Sequence, residues 1–166
     1  MPSFAAPRAL LPAAFLLLAA APAFGHVSAE PRQAPAVAYQ AITFRVGHGC
    51  GKAATTALRI ELPPGLASAR PQPKPGWTLK IEKDGERPTA IVWTGDLPSD
   101  QFDEFAILTK LPDQAGPLYF PAIQTCGADE AAWTEVPDPD APTASLKSPA
   151  PSLMVTPAQG APEHHH

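Results

Sequence analysis

The chain has 166 residues, 16 acidic against 12 basic, giving a formal charge of −4 and an isoelectric point near 5.7. No basic stripe or Lys/Arg run is present, which argues against nucleic acid or an anionic membrane surface as a partner. The two cysteines, Cys50 and Cys126, are too few for a disulfide-dense scaffold.

In chain order, the first element is an export signal. Arg8 precedes the apolar run Ala9–Ala21, and Ala23 and Gly25 supply small residues at the two positions a signal peptidase reads. The run is short of the roughly 20 apolar residues of a membrane span. Cleavage at Gly25-His26 is the best fit, with Ala21 and Ala23 as competing points. A secreted or periplasmic chain of 141 residues would remain, with a charge of −5. That length suits one domain with one core. An even cysteine count in an oxidising compartment reads as a disulfide, Cys50–Cys126, contributing about 2–4 kcal/mol. A pair of thiolate metal ligands is the alternative.

Residues 26–136 read as all-β. Ala41–Val46, Ala57–Leu62, Trp77–Glu82 and Ala90–Thr94 alternate apolar and polar side chains, the period of half-buried strands. Glu104–Lys110, Leu118–Ile123 and Ala132–Val136 are further candidates. Pro63-Pro64-Gly65, Pro73-Lys74-Pro75-Gly76, Lys83-Asp84-Gly85 and Gly95-Asp96 mark turns between them. Seven or eight short strands in this length predict a two-sheet sandwich of immunoglobulin or fibronectin-III type, with a closed barrel as the competing architecture. From Pro137 to His166 there are seven prolines and little apolar periodicity. This predicts a disordered tail, with Ser152-Leu153-Met154-Val155 as a short sticky stretch. The tail ends in His164-His165-His166, either a weak metal-gathering tract or an added tag.

The chemistry concentrates at the new terminus. No GxSxG, HExxH, P-loop or GxGxxG is present. After cleavage the domain holds two histidines, His26 and His48. A first-position histidine closes a chelate ring on one metal ion through its α-amine and Nδ1. An α-amine ionises near pH 8, so a metal displaces its proton at little cost around neutrality. Nitrogen donors in a plane favour copper(II). Glu30 is the first candidate for an added oxygen ligand, although in a straight strand it would stand about 13 Å from His26. Asp103, Glu104, Glu130 and Glu135 are the others, each also readable as a solvated charge. His48, before Cys50 in a Gly-flanked turn, reads either as a second metal site or as a cap on backbone groups. Trp77 and Trp93 read as core. Met154 is the sole methionine after the signal, so no methionine-rich copper(I) site is present.

These residues resemble the YcnI-like family of exported copper-binding domains. The resemblance runs through His26-Val27-Ser28-Ala29-Glu30, His48-Gly49-Cys50, Ala54–Arg59, Lys74-Pro75-Gly76-Trp77, Phe102-Asp103-Glu104-Phe105, Leu118–Pro121, Gln124-Thr125-Cys126 and Trp133-Thr134-Glu135. It implies an immunoglobulin-type sandwich that binds copper(II) by a mono-histidine brace, with a carboxylate and a tryptophan nearby. Here His26 would be the brace, Glu30 the carboxylate and Trp133 the tryptophan, a residue that reads equally as core. It also implies a non-enzymatic metallochaperone in copper trafficking, exchanging with a membrane copper transporter or another periplasmic copper chaperone. A copper-dependent oxygenase and a metal-free envelope interaction domain are the competing functions.

Overall fold

The computed structural model describes residues 26–66, 68–141 and 145–158. The expected leader over 1–25 and the tract His164–His166 lie outside the described residues. The strands are β1 (Ser28–Glu30), β2 (Gln33–Pro35), β3 (Tyr39–Val46), β4 (Thr55–Glu61), β5 (Arg70–Pro71) and β6 (Thr78–Asp84). They continue with β7 (Arg87–Leu97), β8 (Asp103–Lys110), β9 (Gly116–Tyr119), β10 (Ala122–Cys126), β11 (Asp129–Trp133) and β12 (Ser152–Thr156).

Alternation builds the two main sheets. Ile42, Phe44 and Val46 of β3, with Phe105 and Ile107 of β8, bury one face of a sheet ordered β1-β3-β8-β5. Leu58 and Ile60 of β4, with Ile91 and Trp93 of β7, bury the facing side of a sheet ordered β11-β10-β4-β7-β6. The two faces share one core. Phe105 bridges them, with its ring 5.4 Å from Trp93 and 4.9 Å from Trp77. Each sheet keeps two separate edges, so the architecture is the expected sandwich and not a closed barrel.

Local chemistry explains two of the repeated motifs. In Lys74-Pro75-Gly76-Trp77 the Trp77 N–H donates to the Lys74 carbonyl, closing a turn in which Gly76 takes φ +78°. The Trp77 ring then lies against Gly95, where an added Cβ would sit 2.4 Å from it. Lys74 reaches back over the Phe105 ring and pairs with Asp103 at 2.6 Å. Asp103 and Glu104 therefore have structural partners, since Glu104 pairs with Arg45 at 2.6 Å. On the outer face of the five-stranded sheet Glu82 pairs with Arg59 and Lys80. The Arg59 guanidinium, followed by the Lys80 ammonium, lowers the Glu82 pKa.

Two expectations need correction. The stretch Leu118–Ile123 is not one strand: it breaks at Phe120-Pro121 into β9 and β10, which lie in different sheets. The Phe120 N–H donates to Pro151, and Pro121 has no N–H to continue a ladder. The folded domain also does not end at 136. Strand β12 pairs parallel with β2 and antiparallel with β9, and Leu153 and Val155 enter the core at 0% and 1% exposure. A proline-rich composition hid a five-residue alternating strand that needs only two inward side chains to be held.

Candidate metal centre

The N-terminal segment and the last residues of β11 lie at edges of the two main sheets. Strand β1 is an edge of the four-stranded sheet, and β11 is an edge of the five-stranded one. Val27 and Ala29 are buried, and Ser28, Ala29 and Glu30 pair with Arg45, Phe44 and Thr43 of β3. Strict alternation back along β1 would send His26 outward with Ser28 and Glu30. Its ring instead lies against Trp133, with centroids 6.5 Å apart and planes tilted by 50°. Trp133 is 3% exposed, whereas His26 is exposed. An open imidazole thus rests beside a buried indole, within the usual range of ring–ring contact.

Glu30 goes elsewhere. The extended course of β1 carries it about 13 Å along the chain from residue 26, and its carboxylate stands 3.6 Å from Arg32. The structure brings His26 and Trp133 together and places Glu30 beside a different partner. The other acidic candidates are divided in the same way. Asp103 and Glu104 hold Lys74 and Arg45. Glu135 accepts the N–H groups of Lys147 and Ser148, and its own backbone bonds Ser148 and Ala150. It fastens the segment leading into β12 two residues beyond Trp133. Glu130 is exposed on β11, opposite Thr125. No group of three or more His, Cys, Asp or Glu side chains gathers among the described residues.

His48 fits the backbone-holding role. Its Nδ1 lies 2.6 Å from the Gly49 carbonyl, and its own carbonyl accepts from Gln124 Nε2 at 2.8 Å. Gln124 is 1% exposed and also donates to Thr55 Oγ1 at 2.6 Å. This buried pair escaped the sequence reading, although a glutamine amid an inward-facing strand next to Cys126 was its signal. The same corner carries the Cys50–Cys126 disulfide, joining residues 76 apart with a Cα–Cα distance of 5.9 Å. Replacing both cysteines by alanine is expected to cost about 4 kcal/mol, from the chain entropy of a loop this long. Chemical denaturation of the double variant checks it, and a loss under about 1 kcal/mol would contradict the estimate.

A family profile described as "Domain of unknown function (DUF1775)" matches residues 26–155. The chain belongs to this family. The DUF1775 match begins at His26 and includes Leu153 and Val155, in keeping with β12 as part of the domain. A crystal structure of an uncharacterized protein from Nocardia farcinica, reported to reveal an immunoglobulin-like fold, superposes with a TM-score of 0.68. It is 33% identical, covering 81% of this chain and 99% of that one. The DUF1775 domain described here therefore has the immunoglobulin-like architecture that its strand pattern predicts. The chain is also 28% identical over 131 residues to the copper-binding protein CutI of Bacillus subtilis (strain 168). That match covers 76% of this chain and 64% of CutI, so the chain spans somewhat under two thirds of that relative's length.

Proposed function

We propose that the protein is an exported copper(II) carrier that binds the ion through His26 once the leader is removed at Gly25-His26. The observation that carries this reading is the exposed His26 ring beside Trp133 at the sandwich edge. The copper-binding relative and a family match that starts at this residue support it. The freed α-amine and Nδ1 of His26 supply two nitrogen donors from one residue, a set that suits copper(II). Trp133 sets the wall of the site and shields one side of the ion from water. The remaining positions stay open to water or to a ligand on the protein that takes the ion away. Copper is cargo in this reading, and its exchange partners are a membrane copper transporter or another periplasmic copper chaperone.

Glu30 would join the site only if residues 26–29 folded back and its contact with Arg32 broke. Glu30→Gln is therefore expected to change the copper(II) dissociation constant by less than about threefold. A competition titration reads this directly, and a tenfold loss would restore Glu30 as a ligand. An oxygenase built on such a terminus would want a second histidine on the metal, and the one other histidine of the domain, His48, has its Nδ1 on the Gly49 carbonyl. The deciding experiment for the function is the intact mass of the exported protein followed by copper(II) titration. A mature terminus other than His26, or binding no tighter than that of a free imidazole, would end the proposal.

A further inference from the structure

Strand β6 is an open edge of the five-stranded sheet, paired with β7 on one side and with no strand on the other among the described residues. It is seven residues long, Thr78-Leu79-Lys80-Ile81-Glu82-Lys83-Asp84. Leu79 and Ile81 face inward toward the level of Trp93 and Ile91, yet each is 38% exposed. The shorter opposing sheet leaves them uncovered. An edge of this length with free N–H and C=O groups is a template for another strand.

The charges on the outer face choose the strand. Let a second copy of β6 lie antiparallel to the first about a two-fold axis normal to the sheet. Opposed residues then share a face, and three central registers are available. Centring on Lys80 sets Lys80 against Lys80, and centring on Glu82 sets Glu82 against Glu82. Centring on Ile81 sets Lys80 against Glu82 twice, with Ile81 against Ile81 and Leu79 diagonal to it on the inner face. That register has two opposite-charge pairs, no like-charge pair and Ile81 against Ile81 at its centre, with Leu79 set against Lys83 and Thr78 against Asp84 outside it. A lysine on an edge often blocks pairing; here it is matched by a glutamate two residues on and sets the register instead.

We propose that the protein self-associates through β6 in the Ile81-centred antiparallel register, forming one continuous ten-stranded sheet across two copies. Seven paired residues bury less than a standard interface, so the dimer is weak and concentration-dependent. The copper reading is untouched by it. Strand β11 is at the far edge of the sheet from β6, so the two Trp133 strands would stand roughly 43 Å apart, nine spacings of about 4.8 Å. Both His26 sites remain outermost and open.

The test is sedimentation of the full purified chain over a concentration series to roughly 0.5 mM. The native chain is expected to shift from monomer to dimer. Lys80→Glu and Glu82→Lys each set like charges opposite one another and are expected to weaken the dimer at least about tenfold. Mixed in equal amounts they regain complementary pairs and sediment together as a heterodimer. Ile81→Lys removes the apolar centre and abolishes association whichever charges are present. Circular dichroism melts confirm that each variant is folded. A native chain that stays monomeric throughout the series overturns the proposal. So does a mixture that associates no better than its components.

Discussion

Placing one extra residue in front of His26 is expected to weaken copper(II) binding by at least about 100-fold, near 2.7 kcal/mol. The brace depends on two donors from one residue. Extension turns the α-amine into a peptide nitrogen, which must lose an amide proton before it can bind. The imidazole survives, but the new α-amine stands one residue further off and can share the ion with it only through that deprotonated amide, whereas the free amine of His26 closes a six-membered ring with Nδ1 directly. Packing against Trp133 would persist, because it is a ring contact at 6.5 Å and not a property of the amine. The extended protein should therefore fold normally, keep its tryptophan fluorescence and lose the tight copper(II) site. Isothermal titration of the two termini side by side reads the difference. Equal affinities would show that the free α-amine of His26 is not what holds the copper. A cleavage after Ala23 would leave Phe24 and Gly25 in front of the histidine, a terminus that chelates copper(II) through its own amine, amide nitrogens and imidazole, so intact mass and not affinity separates the two cleavages.

The second large effect concerns stability. Leu153→Ala is expected to cost about 3 kcal/mol, in the range of buried leucine truncations. Leu153 is 0% exposed and belongs to the same core as Phe44, Trp93 and Phe105. Removing the chain from Ser152 onward should cost more. It would delete the central strand of the β2-β12-β9 sheet, strip Leu153 and Val155 from the core and leave β2 and β9 without their shared partner. Glu135 would also lose its reason to bind Lys147 and Ser148, two residues from Trp133. Urea unfolding of the full chain, Leu153→Ala and a chain ending at Pro151 checks the order of stabilities. If the shortened chain were as stable as the full one, β12 would be an ornament on a domain that ends near 136.

The sandwich was legible because its strands alternate. Ile42, Phe44 and Val46 sit at period two, as do Leu58 and Ile60, and a period-two row has one inward face wherever it is placed. The cysteine pair was legible from its even count, and His26 from the small residues Ala23 and Gly25 that precede it. Motif order carried the family. Within the motifs, however, sequence could not separate chemistry from scaffolding. Asp103 and Glu104 stood behind Glu30 as candidate oxygen ligands until their partners were visible. Each is now accounted for by a cation from elsewhere in the chain, Lys74 or Arg45.

What the sequence determined by itself was composition and period: an all-β chain, one pair of cysteines and a histidine that follows an apolar N-terminal run. Tertiary structure decided which distant residues meet. It set His26 against Trp133, which are 107 positions apart, and left Glu30, only four positions from His26, beside Arg32. It also drew Ser152–Thr156 out of a proline-rich stretch into a three-stranded sheet. The physical reason is the same in each case. Local pattern fixes the direction in which a side chain leaves its strand, while the packing of two sheets decides what stands in its way.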